Sequence, residues 1–220
     1  MAAPVLQIKE PAIGYPGRTV LSDIDVSIAS SERVVLLGRS GAGKSTLLNL
    51  FHARAGGRAA LVPQSAALVR SLSTFHNVYM GRLDRHSALF NLKTLAWPGR
   101  REVDEVRAVL DEVGLGPEIF RRAGELSGGQ QQRVSVARAF YDGRPIVIGD
   151  EPVSALDPTQ GAAVLARLAA RHETLVLALH DVRLALAHAT RILALDRGRI
   201  VLDAPTDGLD AADLARFYAD

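Results

Sequence analysis

Two kinds of hydrophobic run alternate along the chain, and they predict different elements. "DIDVSI" at 23–28 alternates polar and apolar residues, the period-two pattern of a half-buried antiparallel strand. "RVVLLG" at 33–38 is continuously apolar and ends in glycine, as a strand covered on both faces does. "KSTLLNLFHARA" follows, with Leu47, Leu48 and Phe51 at helical spacing and Gly56-Gly57 as the stop. Farther on, "PIVIGDEP" (145–152) and "TLVLALHD" (174–181) repeat the buried-strand pattern. The first leads into "DPTQGAAVLARLAARH", a helix with Asp157 as cap and Pro158 in its first turn. The second leads into a helix around "VRLALAHA", and "RILALDRGRIVLDAP" reads as two strands about a turn at Arg197-Gly198. Such alternation predicts an α/β fold, a parallel sheet with helices on both faces.

The middle of the chain has another character. "REVDEVRAVLDEVG" (101–114) puts Val103, Val106, Leu110 and Val113 on one helical face and stops at Gly114. With "STFHNVYMGR" (73–82), it predicts a helical subdomain over about residues 65–140, inserted in a single domain spanning 1–220. Trp97 and the "WPGR" loop are expected to pack or turn rather than to bind.

Chemistry enters at the strand ends. Gly38, Arg39, Ser40, Gly41, Ala42, Gly43, Lys44 and Ser45 fit the phosphate-loop pattern G-x-x-x-x-G-K-[ST], with Thr46 next in the helix. Glycines let the backbone wrap phosphate oxygens, Lys44 neutralises the β and γ phosphates, and the Ser45 hydroxyl is offered to Mg²⁺. Of 26 cationic residues only Lys9, Lys44 and Lys93 are lysines, so a lysine kept at 44 stands out against a bias toward arginine. Asp150 ends a buried strand, where a carboxylate is costly unless it serves a cation such as Mg²⁺. Glu151 beside it is placed to orient a water as general base, although an acidic pair at a strand end also caps helices. "LSGGQQQRVSVARAF" (126–140) is a second glycine-rich turn entering a helix, hence a second anion-ready N-terminus.

Composition narrows the classes. The chain has 220 residues, 48% of them hydrophobic, and a net charge of +2, so no global basic field calls for nucleic acid. Cys is absent, which rules out disulfides and thiolate metal sites and suits a reducing cytoplasm. The N-terminus shows no basic region followed by an apolar one, and no uncharged apolar run approaches the roughly 18 residues of a membrane span. Any membrane role is expected to be peripheral, through a partner.

Several short motifs, in order, resemble those of ATP-binding cassette (ABC) ATPases. "LSGGQ" at 126–130, continued by "QQRVSVARA", resembles the signature motif and lies upstream of the "GDEP" strand, as in that family. The resemblance covers nearly the whole chain. It implies a P-loop NTPase with a RecA-like parallel core, an antiparallel β subdomain and a helical signature subdomain. It also implies that Tyr15 stacks on adenine, with Tyr79 and Tyr141 left as spectators. Gln64 in "LVPQ" would touch Mg²⁺ and the attacking water, Asp157 of "SALD" would cross a dimer, and His180 would contact the γ-phosphate. Ser127, Gly128, Gly129 and Gln130 would then bind ATP held by the phosphate loop of another chain, in a head-to-tail dimer.

"SLSTFHNVYMGRLDRHSALFNLKTL" (71–95) resembles the ATPases of phosphonate importers. That implies an ATP- and Mg²⁺-dependent subunit at the cytoplasmic face of the membrane. Its partners would be integral permease subunits, a second copy or a paralogous cassette, and indirectly a solute-binding protein, without nucleic acid. Two alternatives remain open: a soluble ABC ATPase acting on DNA or ribosomes, and a non-hydrolysing ATP-dependent dimerisation module. One departure is visible. Gln64 follows Lys44 by only 20 positions, room for a single short strand after the helix, so a reduced antiparallel subdomain is expected.

Overall fold

The computed structural model describes residues 4–215 and 217; Met1–Ala3, part of the segment read for a leader, lie outside them. A six-stranded sheet forms the centre, with strand order β4 (Ala59–Val62), β5 (Ile146–Asp150), β6 (Thr174–Ala178), β3 (Arg33–Leu37), β7 (Arg191–Asp196) and β8 (Arg199–Pro205). Neighbours run parallel except β8, which returns antiparallel on β7 through the expected turn at Arg197-Gly198.

The continuous apolar runs have a direct cause. On β3, Val35 and Leu37 enter one hydrophobic core, while Val34 and Leu36 enter the core on the other face. β5 and β6 divide in the same way, with Val147, Leu175 and Leu177 on one side and Ile146, Ile148 and Val176 on the other. Each such side chain, fully buried, contributes about 1.5–3 kcal/mol. A polar residue inside these strands would therefore have no solvated face to turn to.

The second core is closed by α1 (Lys44–Arg54) and by a separate two-stranded antiparallel sheet of β1 (Pro4–Tyr15) and β2 (Arg18–Ala29). Ile24, Val26 and Ile28 of β2 point inward, as the alternation in "DIDVSI" predicts. β1 was not legible as a strand. It carries Pro4, Pro11 and Gly14, and only Leu6 and Ile8 are buried along it. The short stretch between Lys44 and Gln64 does hold one strand, β4, but it extends the parallel sheet beside β5. The separate antiparallel sheet thus consists of β1 and β2 alone among the described residues.

Between β4 and β5 lie α2 (Thr74–Tyr79), a 3₁₀ turn at Met80–Arg85, α3 (Ala88–Ala96), α4 (Arg100–Glu112) and α5 (Gly128–Asp142). Ser73 caps α2 by accepting from the His76 amide. α4 buries Val106, Val109 and Leu110, followed by Val113, and Gly114 ends it. Tyr79 and Tyr141 are buried beside each other, with ring centroids 6.3 Å apart. Trp97 follows the second of the two expectations: it ends α3 where the chain turns toward α4, and the residue is 78% exposed. α6 (Pro158–Arg171) covers the first core, α7 (Val182–His188) follows β6, and α8 (Ala211–Ala215) packs on α7.

Candidate functional site

β3 delivers its C-terminal end to the glycine loop, and α1 leaves from it. Gly43 caps α1 in the left-handed region (φ 104°), and no side chain bonds the first helical amides. A side chain there would be strained: at this φ a Cβ would lie 2.4 Å from Leu21 Cδ2, which would have to shift. The helix N-terminus is therefore open, with its amides and positive dipole end unspent.

Lys44 is the first residue of α1 and is only 6% exposed. Its ammonium folds back into the loop, donating to the carbonyls of Gly38 (2.5 Å) and Arg39 (3.1 Å). Burial pushes its pKa down, and the Glu151 and Asp150 carboxylates pull it back up. Ala42 is buried and faces the second core, so it shapes the loop from behind.

Asp150 closes β5, and Glu151 follows in the left-handed region (φ 53°), a conformation unusual for a residue with a Cβ. The backbone there is tied down on two sides. The Glu151 amide donates to the Ala178 carbonyl (3.1 Å), and the Glu151 carbonyl accepts from Gln132 Nε2 (2.5 Å) and Ser154 Oγ (3.2 Å). The Glu151 side chain is 12% exposed and bonds through Oε1 to Nε2 of His180, which lies just beyond β6.

These residues meet at a cavity of about 320 Å³. Its walls include Tyr15, Ser40, Gly41, Gly43, Lys44, Ser45, Thr46, Gln64, Glu151 and His180. Arg18 and Val20 also line it, from β2, and nothing in the sequence marked them: one arginine among many and one strand valine carry no signal. Tyr15 is 70% exposed at the mouth, free to offer its ring face. Gly38 and Arg39 are not among the lining residues and accept from Lys44 through their carbonyls, and Asp150 lies next to Glu151 at the strand end.

The signature residues are elsewhere. Ser127, Gly128, Gly129 and Gln130 form the start of α5 and, among the described residues, do not line this cavity. Ser127 and Gln130 make a reciprocal capping box: Gln130 N donates to Ser127 Oγ, and Ser127 N donates to Gln130 Oε1 at 2.9 Å. Ser127 and Gly128 are exposed. Asp157 caps α6, its Oδ1 accepting from the Gln160 amide at 3.0 Å, as the sequence predicts.

The site can hold a polyanion at Lys44 and the α1 amides, facing a carboxylate–imidazole pair. Ser45, Gln64 and Asp150 supply a hydroxyl, an amide oxygen and a carboxylate. This all-oxygen set suits Mg²⁺, which keeps waters and phosphate oxygens as its other ligands. Among the described residues no cluster of three or more His, Asp or Glu forms a cage of its own.

A parallel sheet whose inner strand opens onto such a loop defines a P-loop nucleotide-binding enzyme. The model of the ABC transporter family matches residues 21–154, and the chain belongs to that family; it is an ATPase. A phosphonates import ATP-binding protein of Natronomonas pharaonis is 42% identical over 94% of this chain and 96% of its own length. Another, from Anaeromyxobacter dehalogenans, is 36% identical over 98% of this chain, which spans about half (48%) of that relative. A phosphite import ATP-binding protein of Stutzerimonas stutzeri is 35% identical over 98% of this chain and 87% of its own. Among solved structures, a dimeric ATP-binding cassette in a post-hydrolysis state with ADP and Pi shares the fold, with TM-score 0.76, 23% identity, and coverage of 94% and 98%.

Proposed function

We propose that the chain is the ATP-hydrolysing subunit of an importer for phosphonate or a related oxyanion, working as one of two cassettes that face each other head to tail. The observation that carries this reading is the separation of two anion-ready helix ends. One lines the cavity with Lys44, Glu151 and His180, and the other begins at the exposed Ser127 and Gly128. The import relatives supply the direction of transport and the solute class.

Lys44 and the α1 amides hold the β and γ phosphates, and Tyr15 stacks on adenine. Ser45, Gln64 and Asp150 would hold Mg²⁺, which when bound would supply positive charge against the phosphate oxygens. Glu151 orients a water in line with the γ-phosphate and takes its proton, while His180 fixes the carboxylate and reaches the same phosphate. Ser127 and Gly129 of a second cassette close the site, so ATP holds the pair together and hydrolysis releases it. Asp157 lies at that dimer face while capping α6.

Among the described residues no helix is long and apolar enough to cross a membrane. By its likeness to import ATP-binding proteins, the chain works peripherally, at the cytoplasmic face, beneath permease subunits that receive solute from a binding protein. Residues 65–140 form the inserted helical subdomain of one domain.

Deleting the gene should abolish growth on a phosphonate or phosphite as sole phosphorus source, with growth on phosphate intact, and in the parent strain the tagged chain should copurify with a hydrophobic integral membrane protein. Unchanged growth on every such source, in a strain without a second importer, would remove the solute assignment.

A further inference from the structure

Three consecutive glutamines open α5, and each has a different job. Gln130 completes the capping box, and Gln131 Nε2 donates to the Leu126 carbonyl at 2.9 Å. Gln132, one helical step on, turns inward and is 3% exposed. Its Nε2 donates to the Glu151 carbonyl (2.5 Å) and to Ser154 Oγ (3.3 Å), and its Oε1 accepts from the Ala155 amide (2.7 Å). The chemistry of these partners fixes the amide's orientation, since a carbonyl needs a donor and an amide N–H needs an acceptor.

This one side chain spans the turn that holds Glu151. The turn is strained, because Glu151 sits at φ 53°, and such a conformation persists only where its surroundings enforce it. Gln132 supplies two of the hydrogen bonds that do so, at both ends of the segment 151–155. Gly129, at the tip of the same helix, leaves no room for a Cβ against the Ala155 carbonyl, which would lie 2.9 Å away. The signature helix and the Glu151 turn are thus packed and bonded as one piece.

From this geometry we infer that Gln132 is a positioning residue for Glu151, holding the backbone from which the carboxylate is aimed at the attacking water. The inference rests on the reading of Glu151 as general base. Gln132 is not among the residues that line the cavity; it acts through the backbone of another residue. A misplacement of that carboxylate by about 1 Å lowers the chemical step by up to about 10²-fold, without a matching change in ATP binding.

Two variants test this in the full-length chain, by steady-state ATPase kinetics and thermal melting. Gln132→Met keeps length and packing but no hydrogen bond. Gln132→Glu keeps the acceptor for the Ala155 amide and loses the donor to Glu151, so it carries the test should Gln132→Met fail to fold. Each should lower kcat about 10-fold or more while KM for ATP moves less than about 3-fold. In a Glu151→Gln background the same substitutions should lower the residual turnover no further, because the group they aim is already gone. A kcat within about 2-fold of the parent in both folded variants overturns the inference. So does an undiminished loss in the Glu151→Gln background, which places the effect elsewhere. Near-parent turnover of Glu151→Gln alone overturns the base assignment itself, a result distinguishable from either.

Discussion

The two helix N-termini that bear the glycine motifs are built to opposite plans. α1 begins at a left-handed glycine with no capping side chain, its lysine buried and its first turn lining a cavity. α5 begins at a serine that is reciprocally capped by a glutamine and exposed. An open helix end inside a cleft is preorganised for an anion supplied from solution. A capped, solvent-exposed end is stable without a ligand and offers only the amides of Gly128 and Gly129. The first is a site, and the second is half of one, which needs a surface brought to it.

The sharpest way to break that contrast is to silence the cleft. Glu151→Gln should keep ATP binding and lower turnover by about 10²–10⁴-fold, the range for loss of a general base. ATP should then accumulate a dimer on size exclusion, because the pair forms and cannot release. Near-normal turnover of the purified variant would end the assignment.

A smaller effect decides whether the α5 tip serves another chain. Lys44→Ala spoils the cleft, and Ser127→Arg blocks the tip, so each homodimer has two dead sites. A mixed dimer gathers both lesions into one composite site and leaves the other intact. With random pairing and independent sites, a one-to-one mixture should recover about a quarter of parental ATPase. Strict coupling between sites would recover less. Zero recovery, with mixed dimers shown to form and a tethered parental control independent at its two sites, would place both motifs on one nucleotide.

Glycine substitution separates the two tips by stability. Gly43→Ala forces a Cβ into Leu21 at φ 104° and should cost about 1–3 kcal/mol in chemical denaturation. At Gly128 the φ is ordinary and no atom lies within 4 Å of the added Cβ. Gly128→Ala should leave stability within about 1 kcal/mol and lower only turnover, through the partner's phosphate. Equal destabilisation by both would contradict the contrast.

Legibility in the sequence followed the same division. β3, β5 and β6 were readable because burial on both faces forces an unbroken apolar run, and the phosphate loop because its glycines and lysine have few other uses. Lys44 and Glu151 carry motifs of their own, whereas Tyr15, Gln64 and His180 are ordinary residue types. Only their order along the chain singled them out. β1 stayed hidden because a half-exposed strand broken by prolines has almost no pattern. Gln132 stayed hidden because rotation by one helical step, rather than residue type, distinguishes it from Gln130 and Gln131.

The smallest expected effect concerns the far end of α5. His172 is 5% exposed, its Nδ1 donating to the Arg144 carbonyl at 2.7 Å, and its ring stacks on Phe140 of α5 with centroids 6.0 Å apart. Burial pushes its pKa below the ordinary value of 6.5; the Arg144 carbonyl raises it, and the nearby Arg171 lowers it a little further. Nε2, where a second proton would go, is buried without a partner. As pH falls through 6.5, the unfolded chain binds a proton at this residue that the folded chain refuses. The stability His172 contributes is complete above that pH and is lost on the way down to its folded pKa, by at most about 1.4 kcal/mol per pH unit. His188, also lowered by burial and by Arg33, adds in the same direction. Asp142 is raised by burial and works oppositely, but around and above its ordinary value of 3.8, in a more acidic range. Melting temperature should therefore decline from pH 7.5 to pH 5.5. His172→Gln, which keeps a donor for the Arg144 carbonyl and cannot titrate, should flatten that decline and leave the part due to His188. An unchanged slope would show that the proton is not taken up here, and that acid does not loosen the anchorage of α5 through His172.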